Sequence, residues 1–218
     1  PNYRIYGHVV SASGALSGTN DLFIANADNS GGQPSLAYNA ANNEYLVAYV
    51  DAYEDIFLPI YYYHIRATRL SRSGAVIIST SFGDYTDAGQ DNPDVAHGSG
   101  RNLYVTVWHS STLAYGQVVS ASGALSGTAF VISPTTAYQD YPAIAYNSAA
   151  DEFLTAWIQY TGPSTSTIYA RRLSGVGAPV GMPFTVTGIL TYTQMLDLAY
   201  YANRNEYFLA WSDKRIPA

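Results

Sequence analysis

The chain contains no cysteine and one lysine, Lys214, among its 218 residues. The absence of cysteine excludes disulfides, zinc–thiolate sites, iron–sulfur clusters and a cysteine nucleophile. Charged residues make up 12% of the sequence, which is about half the usual share, and the formal net charge is −6. Because so few cations are present to contact a phosphate backbone, nucleic acid is not expected as a partner.

Two hydrophobic patterns are also missing. No apolar run reaches the roughly 20 residues of a membrane-spanning helix, and no segment shows a 3.6-residue apolar period. The apolar runs are short, alternate with polar residues and are rich in β-branched and aromatic side chains. The 21 tyrosines suit sheet faces and contact surfaces. The sequence therefore predicts an all-β protein without a membrane span.

A fourfold repeat organises the whole chain. Each copy has an aromatic anchor near the end of an apolar run, and successive anchors lie 59, 49 and 54 residues apart. The anchors are Tyr49, Trp108, Trp157 and Trp211. Residues 9–19 recur unchanged as residues 118–128, which indicates duplication. When the last interval is counted from Trp211 to residue 218 and then on from residue 1 to Tyr49, the four intervals together span all 218 residues.

Each copy is predicted to contain four short antiparallel strands, which we call A to D in chain order. Repeats of about 50 residues with four strands are typical of β-propeller blades. We therefore expect a four-bladed β-propeller, with residues 33–82, 92–133, 141–187, and 195–213 plus 3–25 as its blades. Pairing of residues 206–213 with residues 4–10 is expected to close the last blade and remove its sheet edges. A fragment of a larger ring is the alternative.

The strand pattern resembles a repeat of secreted and surface-attached bacterial β-propellers. That repeat runs as Q-x-x-P-x-V-A, Y-L-V-x-W-x-D, I-Y-G-x-x-V-x-x-x-G and F-x-I. The matching segments are residues 139–145, 152–157, 5–14, 115–123 and 130–132. The resemblance covers essentially the whole chain and implies a scaffold rather than a reaction, with an extracellular or cell-surface location. The chain is also similar to hemopexin-type folds in blade count, but not in motif.

The loops of the expected propeller form a uniform and a variable set. The A–B turns and most C–D turns are uniform in length, whereas the B–C and D–A loops on the other face differ between copies. Divergent loops on a rigid frame usually carry the site. The most distinctive loop spans residues 51–63, and the expected binding residues are Tyr53, Phe57, Tyr61 and Tyr62. Their rings suit contact with a sugar or a protein. The alternative is that the loop folds back as a local lid and the tyrosines belong to an extended strand C.

A second candidate site lies on the expected axis. Asp94 and Asp197 begin strand A in the second and fourth copies, which face each other across a four-bladed ring. Two carboxylates at a narrow mouth would suit Ca²⁺ or another hard cation; alternatively, each faces solvent or caps its loop. No other cofactor is expected. Glutamines that recur before strand A are expected to tie neighbouring copies together: Gln33, Gln90, Gln139 and Gln194.

No catalytic motif is visible in the sequence. G-x-S-x-G, H-E-x-x-H and P-loop spacings are absent, and the four histidines are not expected to cluster. The favoured interpretation is a non-enzymatic extracellular or cell-surface module that binds a glycan or a protein surface, including a second copy of itself. The alternative is a polysaccharide-acting hydrolase or lyase. Its carboxylates would come from the variable loops: Glu54, Asp55, Asp84, Asp87 or Asp91.

Overall fold

A computed structural model describes residues 3–27, 32–54, 61–82 and 89–214, with the backbone only at residues 53, 54 and 61. Within these ranges the chain forms seventeen β-strands and no helix. The prediction of an all-β protein is therefore confirmed. None of the described segments is a helix with the length and apolar character needed to cross a membrane.

The strands form five antiparallel sheets. The N-terminal sheet contains β1 (Tyr3–Gly7) and β2 (Leu22–Ala27). The first full sheet contains β3 (Gly32–Asn39), β4 (Glu44–Glu54), β5 (Tyr61–Ser71) and β6 (Val76–Ser81). The second contains β7 (Gln90–Gly98), β8 (Leu103–Ser110), β9 (Leu113–Ser120) and β10 (Leu125–Val131). In both full sheets the strands lie side by side in chain order.

The C-terminal half of the chain continues the pattern. The third full sheet contains β11 (Gln139–Asn147), β12 (Glu152–Tyr160), β13 (Thr165–Ser174) and β14 (Pro179–Thr185). A short strand, β15 (Leu190–Thr191), also pairs with β13. The C-terminal sheet contains β16 (Gln194–Tyr201) and β17 (Glu206–Ser212). Each copy of the repeat therefore supplies the four strands that its sequence predicts, apart from the additional β15.

The same turn follows strand C in every copy. Its glycine has a φ between +80° and +88°, and its N–H donates to the carbonyl of the serine three residues earlier at 2.7–2.9 Å. The four glycines are Gly14, Gly74, Gly123 and Gly177. Because a residue without Cβ adopts this left-handed conformation at little cost, the repeated Ser-x-x-Gly spacing fixes the C–D turn.

The aromatic anchors lie between neighbouring sheets. Tyr49, Trp108 and Trp157 are 1%, 2% and 0% exposed, whereas Trp211 is half-buried. Trp108 and Trp157 stack on a tyrosine of the following strand, with ring centroids 6.1 and 6.2 Å apart. The expectation that the anchors fill the space between repeats is confirmed for the first three copies.

The sheets pack side by side in chain order. β7 lies between β3 and β11, and β16 lies against β11, so the four A strands follow one another. At one end of the row, Ile5 and Ile24 of the N-terminal sheet share an apolar cluster with Val47 of β4. At the other end, Leu209 of β17 packs against the apolar cluster that includes Leu154 of β12. Each two-stranded sheet is thus held by apolar contact with the full sheet next to it in the chain.

The expected closure of the fourth copy is wrong for this structure. In the described part of the chain, β1 pairs with β2 and β17 pairs with β16, and residues 4–10 form no ladder with residues 206–213. The physical reason is that each half-sheet is held by a different full sheet, β1–β2 by the first and β16–β17 by the third. The structure consequently shows five open antiparallel sheets rather than a ring with a closed fourth blade.

Candidate functional site

Every A strand begins with the same backbone feature. The four residues concerned have φ between +49° and +51°, and each lies where the A strand bulges against its B strand. They are Gln33, Asn92, Tyr141 and Met195. A left-handed conformation is uncommon for side chains of this size and carries a conformational cost. β-bulges redirect side chains and are frequent beside active sites. Four of them together therefore indicate a candidate site at this end of the sheets.

The four bulges surround a pocket of about 480 Å³. Its lining comes from the first residues of β3, β7, β11 and β16, including all four left-handed residues. Asp94 and Asp197, the two carboxylates that were expected on the axis, also line it. The structure therefore brings these two predicted residues to one pocket, which we call the axial pocket.

Asp94 connects three strands through its carboxylate. Oδ1 accepts hydrogen bonds from Ser35 Oγ at 2.7 Å and from the N–H of Val95 at 2.9 Å, and Oδ2 accepts one from the N–H of Ile144 at 2.8 Å. Burial raises the pKa of Asp94, these hydrogen bonds oppose the rise, and the charge of Asp197 adds to it. A cation would have to compete with the three donors, so the predicted cation site stays a prediction.

The predicted aromatic loop lies partly outside the described residues. Phe57 falls outside them, while Tyr53 lies in β4 and faces Tyr62 of β5 in the ladder. Tyr61 pairs in the same ladder with Glu54. Tyr62 is half-buried, and its ring stacks on His64 at a centroid distance of 6.5 Å. These three tyrosines belong to an extended β4–β5 hairpin, and their role in binding stays a prediction.

A histidine and two carboxylates meet beside the axial pocket. Asp91 of β7, His109 of β8 and Asp140 of β11 each offer one ligand atom, and the three atoms lie within 4.8 Å of one another. His109 Nδ1 is 2.8 Å from Asp91 Oδ1. Asn92, which lines the pocket, donates from Nδ2 to Asp140 Oδ1 at 2.8 Å. His109 is 4% exposed, whereas both carboxylates are half-buried and reachable from solvent.

The surroundings of this cluster shift its ionisation. Burial raises the pKa of Asp140 against the opposing effects of the Tyr141 N–H and the charge of His109. Burial would lower the pKa of His109, but its hydrogen bond with Asp91 and the charges of Asp140 and Asp91 outweigh burial, and the pKa lies above its usual value. Two neighbouring carboxyl groups in different environments, one with its pKa raised by burial and the other hydrogen-bonded to an imidazole, are the arrangement that divides acid and base roles in catalysis. The same donor set of one imidazole and two carboxylates could also hold a divalent cation.

Tyr138 presents an aromatic ring at this cluster. Its side chain is 43% exposed, and its centroid lies 5.0 Å from that of His109 and 5.4 Å from that of Tyr160. Burial and the nearby charges of Asp140 and Asp91 raise the pKa of Tyr138 to about 12. Tyr138 is therefore a neutral phenol at ordinary pH. It offers both a flat apolar surface and a hydroxyl next to the two carboxylates.

Sequence reasoning singled out Asp91 but missed Asp140, His109 and Tyr138. The signal that points to Asp140 is a Gln-Asp-x-Pro pattern shared by residues 90–93 and 139–142. In both copies the glutamine Oε1 accepts a hydrogen bond at 2.9 Å from strand C of the preceding copy, from the N–H of Ile65 and of Ala114. The predicted glutamine ties are confirmed at these two positions, and they place the following aspartates on adjacent strands.

The other carboxylates proposed for catalysis cannot be placed. Asp55, Asp84 and Asp87 lie outside the described residues, as does the side chain of Glu54. Two of the other histidines are also separate from the cluster: His8 Nδ1 lies 3.3 Å from Asp21 Oδ1, and His97 Nε2 lies 3.3 Å from Asn102 Oδ1. The prediction that the histidines do not cluster with one another is confirmed, although His109 lies beside two aspartates.

We expect the cluster to make stability depend on pH. The folded-state pKa values of Asp140 and His109 are raised above the unfolded values of about 3.9 and 6.5. The folded state then binds more protons, so this stability is complete below the unfolded pKa values and is lost as pH rises through the folded ones. The urea midpoint of the wild type should fall relative to that of Asp140→Asn between pH 4 and pH 8.

A surface control accompanies this measurement. Glu206→Gln replaces an exposed carboxylate that lies far along the chain from the cluster. The urea midpoint of this variant should follow that of the wild type across the same pH range. If Asp140→Asn also tracks the wild type, Asp140 does not hold its proton more tightly in the folded state.

No protein-family model matches the chain, and no curated protein sequence matches it. Among solved structures, the fold is similar to that of an α-L-arabinofuranosidase from Lactobacillus brevis, with a TM-score of 0.51. The match covers 88% of this chain and 70% of that chain, with 9% sequence identity. At this identity the likeness concerns the fold, and the site has to be argued from its own residues.

Proposed function

We propose that the protein binds a carbohydrate at the Asp91–His109–Asp140 cluster and hydrolyses a glycosidic bond there. The observation that carries this proposal is that one carboxylate oxygen of Asp91 and one of Asp140 lie within 4.8 Å of each other, beside the exposed ring of Tyr138. Retaining glycosidases hold their carboxyl groups about 5–5.5 Å apart. Likeness in fold to an arabinofuranosidase favours this proposal over binding without chemistry.

The environments of the two carboxyl groups suggest their roles. Asp140, whose pKa is raised by burial, is the general acid that protonates the departing sugar oxygen. Asp91 is the nucleophile that attacks the anomeric carbon, and water then releases the sugar with Asp140 as the base. His109, at 2.8 Å, positions Asp91 and balances its charge. Tyr138 supplies the surface on which the sugar ring stacks.

The scaffold and its location complete the proposal. We take the four repeats as blades of a β-propeller-like array, because their A strands lie next to one another and their first residues surround one pocket. Ligand sites at converging strand ends are a common use of such frames. We place the protein outside the cell or on its surface, which the resemblance to secreted and surface-attached propellers supports.

The test is turnover on a panel of aryl glycosides that includes an α-L-arabinofuranoside. We expect release of the aryl group by the wild type and a loss of about 10²- to 10⁴-fold in kcat/KM in Asp91→Asn and Asp140→Asn. Asp21→Asn is the matched control, because Asp21 is an exposed aspartate paired with a different histidine. Thermal melts of all three variants check that folding is unchanged.

Binding has to be measured separately from turnover. Asp140→Asn should still bind a glycan array, whereas Tyr138→Ala should lose that binding because the stacking surface is gone. Binding by a wild type that turns over none of the glycosides would reject hydrolysis and leave a binding module. Absence of both binding and turnover would reject a carbohydrate function at this cluster.

A further inference from the structure

The first and last sheets are complementary halves of one repeat. β1 and β2 are strands C and D of that repeat, and β16 and β17 are its strands A and B. In the three full sheets, strand B pairs directly with strand C, as in β4–β5, β8–β9 and β12–β13. Within the described ranges, neither β17 nor β1 has this partner. One edge of each half-sheet therefore lacks the strand that every full sheet has there.

The full sheets predict the register in which the halves fit. Trp108 faces Tyr115, and Trp157 faces Tyr169, across the B–C ladder. The corresponding residues in the half-sheets are Trp211 and Tyr6, and Tyr6 is 50% exposed. In the same register Ala210 faces Gly7, as Ala156 faces Ala170. An aromatic pair beside a pair of small residues therefore recurs across the two halves.

The halves also match in shape. An apolar groove of about 360 Å³ runs between β1–β2 and the first full sheet, with Ile5, Leu36 and Val47 in its lining. On β17, alternate residues pack on the third full sheet, and the other face is exposed, with Phe208 at 73%. Leu154, which corresponds to Phe208 in the third sheet, is 6% exposed and packs against the next copy. Phe208 is the side chain that the repeat would place in this groove.

The two edges carry few charges that would oppose pairing. β1 has a single charged residue, Arg4, and β17 has a single one, Glu206. Monomeric proteins commonly protect an exposed edge with charges, prolines or bulges. β1 does have a register shift between Ile5 and Tyr6, but that shift is against β2 and leaves the opposite edge without protection.

We propose that β17 of one molecule pairs with β1 of a second copy, so that the two half-sheets form one four-stranded sheet with Phe208 in the groove. The occupant is a second copy because, in the described part of one molecule, β1 and β17 are complementary edges that do not pair with each other. Each molecule presents one of each edge, and the two edges differ. The contact is heterologous and builds a chain of copies.

The test uses single-cysteine variants, which report the contact directly because the native chain has no cysteine. Ser11 and Glu206 are exposed, and their equivalents pair in all three full sheets: Glu44 with Ser71, Leu103 with Ser120 and Glu152 with Ser174. A mixture of Ser11→Cys and Glu206→Cys should give a disulfide-linked dimer on oxidation. Mixing Arg101→Cys, an exposed position elsewhere, with Glu206→Cys should not.

A second measurement keeps the proposal open to rejection if crosslinking is inefficient. Wild-type protein should form oligomers that grow with concentration in sedimentation velocity, and Phe208→Ser should remain monomeric with an unchanged thermal melt. The double variant Ser11→Cys, Glu206→Cys should give a ladder of linked copies on a non-reducing gel. An internally linked monomer from the double variant, or a wild type that is monomeric at every concentration, overturns the proposal.

Discussion

Replacing Trp157 by alanine should destabilise the protein by about 3–5 kcal/mol, because burial of a large aromatic side chain is lost and a cavity remains. Trp157 is 0% exposed and lies between the second and third full sheets with Val105 and Ile144. Its ring also stacks on Tyr169 at 6.2 Å. Urea unfolding at low protein concentration measures the change.

Trp211→Ala is the matched control for this prediction. It removes the equivalent anchor of the fourth copy, which is half-buried, so the loss should be clearly smaller than at Trp157. Equal losses would mean that the two anchors are buried alike in solution. No loss at Trp157 would contradict its position between the sheets.

Asp94→Leu is expected to cost about 2–4 kcal/mol, because it removes the acceptor of three hydrogen bonds and each buried donor left unpaired costs about 1–3 kcal/mol. Ser35 and the N–H groups of Val95 and Ile144 are these donors. The residue is only half-buried, so water can reach part of the site and reduce the loss. Asp197→Leu, which removes the acceptor for the N–H of Leu198, should cost less.

The same variants test the predicted cation site. If the carboxylate of Asp94 serves as a tie between strands, Ca²⁺ leaves the melting temperature of the wild type unchanged. If Asp94 and Asp197 share a cation, Ca²⁺ raises the melting temperature of the wild type but not of Asp197→Leu. Differential scanning calorimetry with and without Ca²⁺ separates these outcomes.

The repeated strands and turns could be predicted because their signals are local. A glycine three residues after a serine sets the C–D turn, and an aromatic anchor in an apolar run marks strand B. The closing contact was not predictable in this way, since it depends on whether two edges far apart in the chain meet. Tyr53, Tyr61 and Tyr62 show a related limit. The sequence predicts them to lie in a loop, whereas in the structure they belong to the paired strands β4 and β5.

The candidate site was only partly visible in the sequence. Asp91 is among the loop carboxylates, whereas Asp140 follows a glutamine expected to be structural, and His109 is not expected to cluster with the other histidines. What joins them is the packing of β7 against β11, which brings equivalent positions of two copies together. Their altered pKa values come from burial and mutual charge, and neither quantity can be obtained from spacing along the chain.

At the axial pocket, the shape of the backbone does not depend on which side chains the four left-handed residues carry. The main chain makes the bend at each of these positions, and the side chains that occupy them are an amide, a second amide, a phenol and a thioether. The frame therefore does not require one particular side chain at the rim. Substitutions can therefore change the chemistry of the rim one residue at a time, while the sheets beneath keep their register.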